Sequence, residues 1–215
     1  MAYEGVKFGD VIFVKKEPPF DGRINTLVKW YRLFSRHKLA PCISGTSYGN
    51  LSFRLKQENQ SFIITGAQLG LEKEVTNDCF VLVHSLDEKK WTPRVSGTRP
   101  PSSESGLHHL IYRNRSDINA IFHGHCQIIL EAAEELGIPI TIKEEQYGTP
   151  ELSQRVLETL GKTHKFIIMK NHGFLSLGGT MEEAGRLAKK VFRDAKKVQA
   201  LKPASARYSM QAVSE

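Results

Sequence analysis

The sequence predicts a mixed α/β fold: one domain in which an antiparallel-capable sheet carries helices on its faces. Three observations predict it. Short apolar runs with strand character recur along the chain, as at Phe62-Ile63-Ile64-Thr65 and Phe166-Ile167-Ile168-Met169. Amphipathic stretches with a 3.6-residue period separate them. Gly and Pro are dispersed, so no stretch has the composition of a linker, and 215 residues suit a single sizeable core.

Taken in order, residues 24–39 place Ile24, Leu27, Val28, Tyr31, Phe34 and Leu39 at helical spacing, and the helix should stop before Pro41. Ser44 to Asn50 reads as a polar loop, and Leu51-Ser52-Phe53-Arg54-Leu55 alternates as a strand. Strands are expected over 62–65 and 79–83, with a turn at Asp87-Glu88-Lys89-Lys90. A helix is expected from Ser102 to about Arg115, with Ser102 or Ser103 as its N-cap.

Asn119 to His123 is strand-like, and Gln127 to Leu136 reads as a helix closed by Gly137. Pro150 to Leu160 is helical, Lys165 to Met169 a strand, Asn171-His172-Gly173 a turn, and Phe174 to Leu177 a strand. The last helix runs from Met181 to about Leu201. Residues 1–20 form a short extension and residues 203–215 a polar, frayed tail.

Composition narrows the function. Cys42, Cys79 and Cys126 are an odd number without paired spacing, which argues against a disulfide scaffold and for a reducing compartment. The first ten residues mix Glu4, Lys7 and Asp10, unlike a secretory segment, and no run reaches the roughly 20 apolar residues of a membrane span. The expected location is the cytoplasm, with no membrane partner. The net charge is +7, and its densest basic group lies between Arg186 and Lys202. Apolar residues interleave there at helical spacing, so the group reads as the solvated face of an amphipathic helix, not as a nucleic-acid surface.

His123-Gly124-His125 follows a short apolar strand. Residues i and i+2 of a strand project from the same face, so both imidazoles can converge on one point. His172 stands at a turn just after another strand, followed by Gly173. Three neutral imidazoles suit Zn²⁺ and leave one coordination position for substrate. By itself each motif has a mundane explanation as turn or surface chemistry; His37, His84 and His164 lie in polar surroundings and are assigned to the surface.

Glu104 follows Pro100-Pro101-Ser102-Ser103 at the start of a predicted helix. A glutamate there offsets the helix dipole and needs no other role. The same position exposes backbone N–H groups and two hydroxyls to an anion. Gly49-Asn50-Leu51-Ser52 and Thr65-Gly66 are further polar pieces at strand ends, without the lysine or strand-to-helix context of a nucleotide loop.

As an ordered set, Gly49-Asn50-Leu51-Ser52, Thr65-Gly66, Pro101 to His108, His123-Gly124-His125 and Asn171-His172-Gly173 resemble the class II aldolase/adducin family over about residues 24–200. The resemblance implies a three-layer α/β/α sandwich and a homotetramer with sites near subunit interfaces. It implies zinc on His123, His125 and His172, with Glu104 moving the proton at the substrate carbon. It implies that Asn50, Thr65, Gly66, Ser102 and Ser103 hold the phosphate of a small phosphorylated sugar or hydroxy-ketone.

The expected activity is then a zinc-dependent aldolase that works through a metal-stabilised enediolate. Related 4-epimerases carry Asp where this chain has Glu104, which favours aldol cleavage. Ala67 replaces a small hydroxyl residue found in many members. Tyr147 and Tyr208 are the candidates for the tyrosine that such aldolases lend to a neighbouring subunit. A dehydratase or epimerase on the same site, or a non-catalytic adducin-like module, are the alternatives.

Overall fold

In the computed structural model, residues 7–43, 46–56, 58, 60–70 and 75–202 are described. Ten strands and five α-helices follow one another within them. β1 (Ile12–Lys15) precedes α1 (Ile24–Arg36), the short pair β2 (Cys42–Ile43) and β3 (Thr46–Ser47), then β4 (Gly49–Arg54) and β5 (Phe62–Thr65). β6 (Phe80–Asp87) and β7 (Thr92–Ser96) lead to α2 (Ser105–Asn114), β8 (Ala120–Gly124) and α3 (Gln127–Glu131). α4 (Pro150–Leu160), β9 (Phe166–Met169), β10 (Gly173–Gly178) and α5 (Met181–Leu201) complete the order.

Eight strands join in the order β1-β7-β6-β5-β4-β8-β10-β9, and every neighbouring pair is antiparallel except β1 with β7. Side chains alternate between the two faces of a strand, and here the alternation feeds two separate cores. Phe122 of β8 enters a cluster with Phe34 of α1 and Ala184 and Ala188 of α5. Its neighbour Ile121 enters another with Leu107 and Ile111 of α2 and Val156 of α4. Phe34 meets Phe122 edge-on, with centroids 5.4 Å apart, a favourable aromatic geometry. A side chain at Gly185 would collide with the Trp30 ring, so glycine there lets α5 lie against α1.

Helix starts follow capping chemistry. Thr149 accepts a hydrogen bond from the Leu152 amide at 3.2 Å, with Pro150 opening α4. Thr180 does the same for α5 through the Glu183 amide at 3.1 Å. The basic group expected on a solvated face is there: Arg186, Lys189, Lys190, Arg193, Lys196 and Lys197 are exposed while Ala184, Ala188 and Ala195 are buried.

Several boundaries differ from the sequence reading. The expected loop 44–50 contains β3, and Gly49 and Asn50 already belong to β4; Ser44 and Gly45 lie outside the described residues. α2 begins at Ser105, and Glu104, not Ser102 or Ser103, is its N-cap. Ser102 and Ser103 stand in the tight turn before the helix, where the Ser102 carbonyl accepts from the Ser105 amide at 3.0 Å. α3 ends at Glu131, short of Leu136, and the chain continues in turns to Gly137, whose φ of +61° suits glycine.

Strands β1 and β7 were not expected, because β1 is four residues with an exposed face and β7 contains Pro93. His84 is half-buried, with Nε2 2.8 Å from Ser96 Oγ, instead of free at the surface. The extension before residue 7 and the tail from 203 lie outside the described residues.

Two adjacent histidines on α2 give the fold a pH signature. Burial lowers the pKa of His108 to about 3 and that of His109 to about 4. An unfolded histidine titrates near 6.5, so below that pH the unfolded chain binds protons that the folded chain refuses. Stability is therefore full above about pH 6.5 and falls as the pH drops toward the folded values. At pH 5 each histidine should cost about 2 kcal/mol relative to pH 8. Urea titrations at both pH values check this: a His109→Leu variant should lose about 2 kcal/mol less than the wild type over the interval. Equal losses in the two proteins would rule it out.

Candidate active site

The site lies where β8, β10 and β4 end together. Asn50 stands opposite His123 across the β4–β8 ladder, and Leu175 stands opposite it on the other side. His125 follows two residues later, just past the strand end. His172 occupies the turn between β9 and β10, entered through Asn171 in the left-handed region at φ +54°. Asn171 tolerates that conformation better than most residues, and its side chain donates to Glu144 Oε2 at 2.8 Å.

Glycine is required beside the imidazoles. A Cβ at Gly173 would lie 2.5 Å from the Gly124 carbonyl oxygen and 2.7 Å from His123 Cε1. Gly49 combines a φ of +142° with a backbone approach in which a Cβ would sit 2.6 Å from the His123 carbonyl oxygen.

The three rings form one cluster. Their centroids are 4.7 Å apart for His123–His125, 5.1 Å for His123–His172 and 4.8 Å for His125–His172. One nitrogen of each lies within 4.8 Å of the others, a group able to hold a metal ion. His123 Nδ1 faces the Phe174 carbonyl oxygen at 2.9 Å. A carbonyl can only accept, so the hydrogen of neutral His123 is on Nδ1 and Nε2 presents a lone pair.

That lone pair faces His125 Nε2 at 2.9 Å and Glu104 Oε2 at 3.1 Å. A neutral His125 can fill the first gap with its own Nε2–H, but the Glu104 oxygen and the His123 lone pair repel unless a proton or a cation lies between them. Burial pushes the pKa of His123 below the ordinary histidine value and that of His125 well below it, which disfavours the proton. A divalent cation fits the donor set, with the Phe174 carbonyl holding the tautomer from behind as backbone carbonyls do for ligating histidines.

Glu104 reaches this cluster from the start of α2. Its Oε1 lies 3.1 Å from His172 Nε2, and Asn50 Nδ2 donates to its Oε2 at 2.9 Å. Burial raises its pKa, but the facing His123 and His172 rings and the hydrogen bonds from His172 and Asn50 more than offset that. The carboxyl is held well below its usual range. A buried, ionised carboxylate against three imidazoles can carry a proton to or from a substrate atom held among them.

A cavity of about 170 Å³ opens over these groups. Of the nine residues singled out from sequence, Asn50, Gly66, Ser102, Ser103, Glu104, His123, His125 and His172 line it. Thr65 does not: it is 1% exposed, its hydroxyl accepts from the Leu51 amide at 3.3 Å, and its carbonyl accepts from the Ser102 amide at 3.2 Å. The Gly66 amide is committed to the Cys79 carbonyl at 2.8 Å, and a side chain at Gly66 would strike Arg99.

Sequence reasoning did not single out Tyr48, Gln68, Glu145 or Asn171 as wall residues, yet all four line the cavity, along with Tyr147. Tyr48 packs edge-on to His125 at 5.6 Å, and Glu145 pairs with Lys143 at 2.9 Å and Arg155 at 3.4 Å. Glu145 lies in a connection without regular structure and without a motif, so nothing local marked it. Tyr208 lies outside the described residues.

Comparison with known proteins agrees with this geometry. The family of class II aldolases and adducin N-terminal domains matches residues 25–196. An L-fuculose phosphate aldolase of Methanococcus vannielii is 31% identical over 153 residues, covering 64% of this chain and 76% of that one. A methylthioribulose-1-phosphate dehydratase of Yersinia enterocolitica is 27% identical over 165 residues, covering 64% and 74%.

Among solved structures, an L-fuculose 1-phosphate aldolase superposes with a TM-score of 0.68 at 24% identity, covering 85% of this chain and 87% of that one. A sugar-phosphate aldolase from Thermotoga maritima gives a TM-score of 0.67 at 17% identity, covering 84% and 96%. At such identities these two speak for the fold. With the match spanning most of the chain and the three histidines gathered around Glu104, the protein belongs to the class II aldolase and adducin family.

Proposed function

We propose that this protein is a zinc-dependent aldolase-type lyase, making or breaking a carbon–carbon bond in a small ketose phosphate on a three-layer α/β/α scaffold. The observation that carries the reading is the Glu104 carboxylate, 3.1 Å from both His123 Nε2 and His172 Nε2 in a cavity open to a small molecule. A non-catalytic module has no use for a buried carboxylate aimed at three imidazoles.

In this reading His123, His125 and His172 hold the metal, which supplies Lewis-acid stabilisation of negative charge on the substrate oxygens. Glu104 takes or returns the proton at the carbon next to the carbonyl. Asn50 orients Glu104 and keeps a second amide hydrogen to donate. Ser102 and Ser103 anchor the phosphate, with Thr65 and Gly66 shaping the turn behind them, so binding away from the reacting carbon orients it. The same reading carries a cytoplasmic homotetramer.

A second reading, dehydration of a sugar phosphate, is favoured by Glu145. Elimination of water begins with the loss of a proton from carbon, and Glu145, kept ionised by Lys143 and Arg155, puts a second carboxylate base on the cavity wall. Product analysis on ketose 1-phosphates separates the two. Aldol cleavage yields two carbonyl fragments, as expected here; a single dicarbonyl product with the original carbon number would replace the aldolase reading by the second. Metal-loaded protein that leaves a panel of ketose 1-phosphates untouched would overturn both.

A further inference from the structure

A row of buried polar side chains runs from the site into the protein interior, and the chemistry proposed above leaves most of it without a role. Alternate residues of β4, Asn50, Ser52 and Arg54, face residues four apart near and along α2, Glu104, His108 and Tyr112. Two strand residues advance about 6.8 Å and four helix residues about 6.0 Å, so strand and helix stay in step over three rungs.

The first rung is Asn50 Nδ2 to Glu104 Oε2 at 2.9 Å. The second is Ser52 Oγ, 2.7 Å from His108 Nδ1 and 2.7 Å from the Tyr112 hydroxyl. The third is Arg54, whose Nη2 donates to the Tyr112 carbonyl at 2.7 Å and the Arg115 carbonyl at 2.9 Å, with its guanidinium 4.8 Å from the Tyr112 ring centre. All six side chains belong to residues no more than 5% exposed.

Stability alone does not account for the row. Apolar side chains of similar shape would fill the same space without desolvating an arginine, a glutamate and a histidine. The row even leaves His108 Nε2 and Asn50 Oδ1 buried without a hydrogen-bond partner among the described residues, a cost that native interiors normally avoid. Apolar packing tolerates small axial slips of a helix, whereas hydrogen-bonded rungs accept one register only. Glu104 is the residue at which a slip matters, because it must meet His123 and His172 at once.

We infer that Ser52, Arg54, His108 and Tyr112 are positioning residues: a polar ladder that locks α2 to β4 and so aims the Glu104 carboxylate at the histidine cluster. The inference rests on Glu104 being the proton carrier of the proposed reaction. It differs from a general stabilising role in one respect, that its effect on chemistry passes through Glu104 alone.

A double-mutant cycle tests it. Ser52→Ala and, as the milder change, Tyr112→Phe should each lower kcat about tenfold while moving KM less than about twofold. In a Glu104→Gln background either substitution should cost no more than about twofold further. Full additivity with Glu104→Gln would overturn the ladder.

A second arm uses metal-free protein and no substrate: long-range ¹H–¹⁵N spectra of the histidine rings. Ser52→Ala should shift the His123 and His172 signals in the same sense as Glu104→Gln does, in addition to shifting His108. A change confined to His108 would overturn the inference, and if Ser52→Ala does not fold, Tyr112→Phe is read in its place. A wild type without lyase activity would count against the proposed function and leave the spectra to decide the ladder.

Discussion

Glu104→Gln is expected to lower kcat by about a thousandfold or more while leaving one metal bound per chain, the upper part of the range for a lost general acid–base. The substitution keeps the shape and the Asn50 contact on the side-chain oxygen, so the fold should persist. What disappears is the buried negative charge facing His123 and His172 and the proposed proton carrier, 3.1 Å from both. The loss should fall on kcat and not on KM, because the serines expected to hold the phosphate are untouched. Steady-state kinetics on the best ketose phosphate, with metal analysis of the same sample, gives the answer. Turnover within about tenfold of wild type would remove Glu104 from the chemistry.

Loss of the metal is expected to be equally severe. His123→Ala should bring bound transition metal from about one per chain to a small fraction and abolish turnover, since His123 is the proposed ligand best fixed by its surroundings. It is 1% exposed, held from behind by the Phe174 carbonyl and flanked by Gly49 and Gly173. Chelation of the wild type should do the same reversibly.

The apoprotein should still melt cooperatively, because both cores are built from apolar side chains that bury themselves without a metal. Metal should then raise stability by mass action, about 2.7 kcal/mol at one hundred times its Kd. Elemental analysis, far-ultraviolet dichroism and thermal melts with and without metal check the set. An apoprotein that is unfolded would recast the metal as a structural one, and unchanged metal content in His123→Ala would dissolve the site.

Local periodicity made most elements legible. α4 and α5 begin and end where their caps and apolar spacing place them, and β5 matches its apolar run residue for residue. Legibility failed where pairing, not local pattern, makes the element. β1 gains strand geometry by lying parallel to β7, and β7 accommodates Pro93, neither of which a single segment announces. The start of α2 was misplaced because Ser102 and Ser103 look like caps, whereas their turn is closed by the Ser105 amide and by the isolated bridge between Gly66 and Pro101.

The sequence by itself determined the candidate ligand types, the order of the motifs and the family. His123 and His125 are two apart, so pleat geometry already suggested their convergence, although β8 ends at Gly124 and the chain just beyond it sets the His125 ring. Tertiary structure decided what those residues face. Asn50, Glu104, His123 and His172 are separated by tens of residues and meet only because the β4–β8 and β8–β10 ladders set one register and the polar row on α2 sets another. Contacts between distant segments depend on which strands pair and how far a helix slides along them. Those choices are settled by packing and buried hydrogen bonds, to which no short stretch of sequence has access.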